Sequence, residues 1–403
     1  MCRRLVPMTK PDFPVFDCDN HYYEAVDAFT RHLDPRTASR TIEWCTINGR
    51  QYHVIGGKVS HAVVNPTFDP VALPGVLKDY FRGNPNNENP IELLKQREPI
   101  RPAYRDKDAR IATLDEHGLE KCWLFPTLGM IYEEPLHKDP WAVMQVFTAF
   151  NRWMLEDWSF NHKDRIFTAP YITLVDVDWA VNELKFALDN GATTVVMRPA
   201  APTTVDGQRS PADPMFDPFW GLVNESGITV VAHAGDSGYT AHGYGEDNGF
   251  SAGFGQQTRP QPLRMATMFD RPIEDFLGSL VCDKMLDRFP NVRVASVENG
   301  SGFLRGLLKK LDNTAKKMPG WFTEQPSETF RRNIWINPFW EDDVHEVVEL
   351  MGSDRVIFGS DWPHIEGMPE PLDYIDELKE FSPAVQKMIM RDNVTELNTR
   401  RPA

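Results

Sequence analysis

Asp17, Asp19 and His21 stand at alternate positions near the start of the chain, in V-F-D-C-D-N-H-Y-Y-E over residues 15–24. Apolar Val15 and Phe16 lead in as a strand would, and strand side chains alternate between faces. The spacing predicts Asp17, Asp19 and His21 on one face, with Phe16, Cys18 and Asn20 on the other. Three ionisable groups on one face of an otherwise apolar strand are costly in a plain core. A divalent cation offsets that cost, because carboxylate oxygen and imidazole nitrogen both ligate it well. The plainer alternative is an Asp cap beside a hydrogen-bonded core His, so the metal reading needs more ligands elsewhere.

The chain supplies them at the ends of apolar runs. His233 ends I-T-V-V-A-H-A-G, Glu298 lies in V-R-V-A-S-V-E-N, and Asp361 lies in R-V-I-F-G-S-D-W. Each alone has a bland explanation: a core histidine, a partner for a helix N-terminus, a loop cap. Together, Asp19, His21, His233, Glu298 and Asp361 form a candidate metal-ligand set. Asp361, His233 and Arg198 are the candidate catalytic residues. Asp361 would take a proton from water, and Arg198 or His233 would steady a developing oxyanion. Arg198 ends T-T-V-V-M-R-P, and its planar fork suits a substrate carboxylate; the alternative is a structural salt bridge. His364, with Glu366 in D-W-P-H-I-E-G, and His242, with Tyr244 on a glycine-rich stretch, are further candidates for substrate contact. His53 and His61 are expected at a solvated surface.

Strand-then-helix units must position these residues. Runs at 15–24, 121–127, 165–174, 193–200, 228–235, 292–299, 333–339 and 355–362 read as strands, most followed by a helical pattern. Asp106 and Gly118 bracket one helix, and Trp141, Met144, Phe147, Phe150 and Met154 form the packing stripe of another. Consecutive βα units favour a parallel sheet, and eight can close into a (β/α)8 TIM barrel, whose strand C-termini carry the active site. An open doubly wound sheet is the alternative, but no G-x-G-x-x-G follows an early strand. Asn48-Gly49 between two β-rich runs signals a hairpin, and Gly56-Gly57 a third short strand. Residues 41–105 therefore read as a β-hairpin flap inserted after strand one, and 236–261 as a long loop after strand five. The whole of 1–403 is expected to be one domain.

The chain has 403 residues, 41% hydrophobic and 25% charged, which suits a globular enzyme. A net charge of -15 without a basic run argues against nucleic acid or an anionic membrane as partner. No apolar run is long enough to span a bilayer, and the N-terminus lacks the apolar core of a signal peptide. The five cysteines are dispersed, as reduced thiols of a cytoplasmic protein would be. A small-molecule substrate is expected, and self-association into a homo-oligomer is left open.

The motifs D-C-D-N-H, H-A-G, R-F-P-N-V-R-V-A-S-V-E-N-G and G-S-D-W-P-H together resemble the amidohydrolase superfamily, in the amidohydrolase-2 branch of metal-dependent barrels. The resemblance runs over essentially the whole chain from Val15 and implies hydrolases or nonoxidative decarboxylases. Members usually carry H-x-H on strand one, where this chain has Asp19, and many carry His on strand six, where it has Glu298. The result is a harder, more anionic site, suited to Zn, Mn or Fe. The bridging ligand of two-metal relatives is replaced by Arg198, which favours one ion over two. The expected activity is hydrolysis of an acyl bond (amide, ester, lactone or thioester) in a small carboxylated substrate, through a metal-bound hydroxide. The alternative is a metal-dependent decarboxylase (lyase) of a hydroxy-carboxylate.

Overall fold

A computed structural model describes residues 11–239, 262–267 and 270–403. Its centre is two parallel sheets. In the first, β1 (Val15–Tyr22) pairs with β5 (Leu119–Pro126), which pairs with β6 (Ile166–Thr168). In the second, β7 (Thr194–Met197), β8 (Thr229–His233), β9 (Arg293–Val297) and β10 (Ile334–Ile336) lie side by side in chain order. These strands are buried along their length, as continuous Val/Ile-rich runs between helical layers should be.

Isolated parallel bridges connect the sheets on both margins. Tyr171 bridges to Val196 on one side. On the other, Ile336 bridges to Val356, and Asn20 to Trp362. Residues 355–362, expected as the eighth strand, thus touch both neighbours without a continuous ladder, and among the described residues the sheets do not close as one barrel ladder.

Asp17 supplies the physical reason. Its Oδ1 accepts from the backbone N–H of Asp19 at 3.0 Å and of Ser360 at 2.9 Å. Its Oδ2 accepts from Asn20 Nδ2 and Ser360 Oγ. One side chain therefore takes backbone donors that a ladder would otherwise use. The register of β1 against β5 shifts between Asp17 and Asn20, as in a bulge. Simple alternation fails here: Asp17 does not join Asp19 and His21 but ties β1 to the 355–362 segment.

The hairpin forms as the sequence indicates. β2 (Ile42–Ile47) pairs with β3 (Arg50–Ile55) across Asn48-Gly49, both at positive φ, and β4 (Lys58–Val59) follows the Gly56-Gly57 turn. His53 corrects an expectation. It is buried, 2% exposed, with Nδ1 2.7 Å from Tyr132 Oη and its ring against Trp44 and Phe29. His61 is exposed.

Helices pack outside the sheets with legible ends. Asp106 caps Lys107–His117 through Ala109 N–H, and Gly118 ends it at φ 73°. Asp139 and Asp176 cap Pro140–Asp157 and Val177–Asp189 in the same way. The aromatic stripe of Pro140–Asp157 is core: Phe147, Phe150 and Trp153 are buried. Each such side chain contributes about 1.5–3 kcal/mol by leaving water. Lys284 sits at φ 60° and separates the helices Asp270–Cys282 and Met285–Arg288.

Candidate metal centre

The ends of β1, β8 and β9 and the 355–362 segment bring Asp19, His21, His233, Glu298 and Asp361 together. His21 Nε2 lies 3.2 Å from Asp19 Oδ1, 3.6 Å from Glu298 Oε2 and 3.4 Å from Asp361 Oδ1. His233 Nε2 lies 3.4 Å from Asp19 Oδ1 and 3.2 Å from Glu298 Oε2. The two Nε2 atoms are 3.2 Å apart.

The tautomers follow from the opposite ring edges. His21 Nδ1 faces Pro126 O at 3.1 Å, and His233 Nδ1 faces Ala234 O at 2.9 Å. A carbonyl only accepts, so each Nδ1 carries the proton and, in a neutral ring, each Nε2 presents a lone pair to the cluster. Backbone carbonyls commonly orient metal-bound histidines in this way. Two donors at about 2.1 Å from one tetrahedral ion would sit roughly 3.4 Å apart. The observed separations are those of ligands around one first-row ion, and Asp361 Oδ2 has no hydrogen-bond partner in the protein. The donor set therefore fits a divalent transition metal.

Two of the carboxylates come from strained backbone. Glu298 has φ 57° and Asp361 has φ 55°, where side chains other than those of Gly and Asn are uncommon. Such strain recurs where geometry at a site outweighs local comfort.

Charges in the cluster depend on one another. Burial works to raise the Asp19 carboxyl, but hydrogen bonds with His21 and His233 hold it below its ordinary range. Burial opposes charge on His21, yet Asp19 and Glu298 lift its pKa to about 10. Asp361 is pushed well above the carboxylate range, first by burial and then by Glu298, Glu366 and Asp19. Excess negative charge thus draws protons in, and a divalent cation would take their place.

His364 stacks on His21, with ring centroids 3.8 Å apart. Its Nδ1 lies 2.6 Å from Asp361 Oδ1 and its Nε2 3.0 Å from Thr127 Oγ1. The Thr127 hydroxyl gives its one proton to Tyr22 O, at 2.8 Å, so toward His364 it accepts. His364 Nε2 is then the protonated nitrogen. Burial, then the charges of His21 and His233, push His364 well below its usual value, so the ring is neutral and Nδ1 is bare. Neither Asp361 oxygen has a hydrogen-bond partner, and His364 with His21, Glu298 and Asp361 forms a second group whose donor atoms lie close enough for one ion.

Arg198 is buried just past the end of β7. It pairs with Glu134 Oε2 at 2.6 Å, Glu133 Oε1 at 3.2 Å and Asp236 O at 2.5 Å. The ion-pair alternative raised by the sequence describes its surroundings. His242 lies outside the described residues.

Beside the ligands is a cavity of about 170 Å³. Asn337, Phe339, Trp340, Glu341 and, from the 41–105 insertion, Phe81 line it. Sequence reading missed all of them. Asn337 follows the end of β10, a strand-end position that a search for ionisable groups passes over, while Phe81 comes from a Pro- and Asn-rich stretch with no periodic signal.

A model of the amidohydrolase family matches residues 17–397. No curated protein matches the sequence significantly. Among solved structures, an amidohydrolase from Mycobacterium avium subsp. paratuberculosis K-10 is 39% identical, superposes with a TM-score of 0.90, and aligns over 96% of this chain and 100% of its own. A dihydroxybenzoic acid decarboxylase from Polaromonas sp. JS666, with bound manganese and the inhibitor 2-nitroresorcinol, shares the fold at 16% identity and TM-score 0.59, over 80% of this chain and 93% of its own. A 2,6-dihydroxybenzoate decarboxylase from Rhizobium does so at 19% and 0.54, over 72% and 88%. A family match over nearly the full length, together with a relative of 39% identity sharing the fold from end to end, establishes that the chain belongs to the amidohydrolase family.

Proposed function

We propose that the chain is a metal-dependent hydrolase of an acyl bond (amide, ester, lactone or thioester) in a small molecule. The carrying observation is the pair of lone-pair-bearing Nε2 atoms of His21 and His233, 3.2 Å apart and ringed by Asp19, Glu298 and Asp361. One divalent ion (zinc, manganese or iron) held by these five residues would polarise a carbonyl and make water more acidic. The chain's own residues then move the proton. Asp361 takes it from water, with His364 as its partner, and the pair returns it to the leaving group. The carbonyls of Pro126 and Ala234 hold the imidazoles in place. The two sheets with their connecting bridges are read as a (β/α)8 barrel whose strand C-termini carry the site. The idea of a carboxylated substrate rested on Arg198, whose fork is engaged by Glu133 and Glu134, so the reading no longer calls for that carboxylate.

The second reading is nonoxidative decarboxylation. Burial pushes the Asp361 carboxyl toward its protonated form, which favours this reading, because loss of CO2 leaves a carbon that must be protonated. Two fold neighbours are decarboxylases, one of them holding manganese. Turnover in 18O-labelled water separates the two. Label in the product acid supports hydrolysis, and CO2 release without that label replaces the hydrolase reading with the lyase.

A further inference from the structure

The cavity beside the ligands has a charge pattern that acyl hydrolysis alone does not require. Besides the ligand carboxylates it is lined by Glu341 and Glu366. Neither has an ion-pair partner among the described residues, and both are largely withdrawn from solvent. No lysine or arginine lines the cavity among the described residues. Arg82 approaches the Trp340 ring at 4.4 Å but is tied to Glu377 at 2.8 Å. Phe81, Phe339 and Trp340 give the cavity aromatic faces beside Asn337, Pro338 and Ser360. The Trp340 Nε1 donor is buried without a partner. Asp361, 9% exposed, also faces this space, and its Oδ2 lacks a hydrogen-bond partner.

Three candidate ligand carboxyls face one ion together with two imidazoles, and the two further carboxyls of Glu341 and Glu366 line the same space. An anionic group in this cavity would face these carboxyls, and among the described residues the cations beside it, Arg82 and Lys78, lie over the Trp340 ring at 4.4 Å and 5.6 Å. A cationic nitrogen would meet carboxylates and aromatic faces, the combination that holds ammonium groups. We propose that the cavity selects substrates whose end remote from the reacting bond is cationic, with Glu341 and Glu366 as the residues that set this preference. The inference deepens the hydrolase reading by naming its substrate class.

The test uses an isosteric pair: choline, and its neutral carbon analogue 3,3-dimethylbutan-1-ol. Both carry a hydroxyl, and the quaternary nitrogen cannot ligate a metal. Affinities for the full-length, metal-loaded protein are measured by calorimetry, with metal content assayed on each sample. Choline should bind at least about tenfold more tightly. In Glu341→Gln, and further in Glu341→Gln/Glu366→Gln, that preference should fall to about threefold or less while the alcohol binds as before. Equal affinities in the wild type, a preference that survives the double variant, or no choline binding by about 50 mM would each overturn the proposal. So would loss of a second equivalent of metal in Glu341→Gln, which would make these carboxylates ligands. Binding is read without turnover, so a cationic preference in a protein that hydrolyses nothing would refute the hydrolase reading and leave this one standing.

Discussion

Asp361 and His364 meet through Oδ1 and Nδ1 at 2.6 Å, and the Thr127 hydroxyl fixes the far side of the imidazole. The carboxyl thus faces the candidate metal cluster on one side and a neutral histidine on the other. His364→Phe should preserve the stacking on His21 while deleting the proton partner. We expect kcat to fall roughly 10²–10⁴-fold at unchanged metal content, the usual range for a general acid or base. The limb of the pH–rate profile that reports this pair should also move. A variant that turns over within about threefold of wild type with the same profile would show His364 to be a packing residue.

Metal removal should be equally informative. Chelator-free protein should carry close to one equivalent of transition metal, measured by elemental analysis. His21→Ala and His233→Ala should each lose most of it, because each removes a lone pair that the opposite carbonyl has oriented inward. Adding the ion to stripped protein at about a hundred times its Kd should stabilise the fold by about 2.7 kcal/mol. Less than about a tenth of an equivalent, with no thermal shift on addition, would remove the basis of both enzymatic readings.

The cluster of Asp19, His21, His233, Glu298 and Asp361 was legible because its members lie at or near the ends of apolar runs, and the runs that become strands deliver those ends to one place. Asp17 misled for a local reason. Alternation assumes an unbroken strand, and this carboxylate captures the N–H groups of Asp19 and Ser360, which shifts the register between them. Arg198 was read at a strand end with a structural salt bridge as the alternative, but its partners Glu133 and Glu134 lie on the short helix Glu133–Leu136, which has too few residues to leave a pattern. The aromatic walls were unreadable for a related reason. Phe81 ends the four-residue helix Lys78–Phe81 and Trp340 lies in a turn, both too short for sequence spacing to fix a direction.

Those partners change what Arg198→Met should do. Glu133 also accepts from Tyr171 Oη at 2.6 Å and Thr173 Oγ1 at 2.8 Å, so its buried charge would stay in place with its cation gone. Breaking such a pair costs about 3–5 kcal/mol. Urea unfolding should show a loss of that order, and kcat/KM should fall alike for neutral and anionic substrates. A stable variant with a loss confined to anionic substrates would return Arg198 to the substrate.

His53 should make the fold sensitive to mild acid. Burial lowers its pKa to about 3, against 6.5 in an unfolded chain. Between these values the unfolded chain binds a proton that the folded one does not. The stability contributed by neutral His53 is thus complete above about pH 6.5 and is lost as pH falls toward 3, at up to about 1.4 kcal/mol per pH unit. His53→Gln should remove that part of the slope. Relative to the variant, wild type should lose about 2 kcal/mol between pH 7 and pH 5 in urea titrations. Parallel pH dependences would mean that His53 takes up its proton in the folded state.

Gly359→Ala tests the geometry of the site without touching a ligand. Gly359 precedes Ser360 and Asp361, and a Cβ placed on it would stand 2.5 Å from Asp19 Cβ and 3.1 Å from both Asn337 side-chain atoms. Its φ lies outside the left-handed region, so alanine meets no backbone penalty and the contact alone decides. Asp19 cannot retreat freely, because its backbone N–H is held by Asp17 and its carbonyl accepts from Asp361 N–H at 2.8 Å. The strain must then pass into the Asp19 carboxylate or the Asp361 backbone, and both belong to the ligand set. Overpacking of this kind costs about 1–3 kcal/mol. If most of that falls on the ligands, metal affinity should drop roughly 10- to 100-fold, with activity restored by excess metal. Metal affinity within about threefold of wild type in a folded variant would mean that the two segments part without moving the carboxylates, and that the spacing between β1 and the Asp361 segment does not set the site.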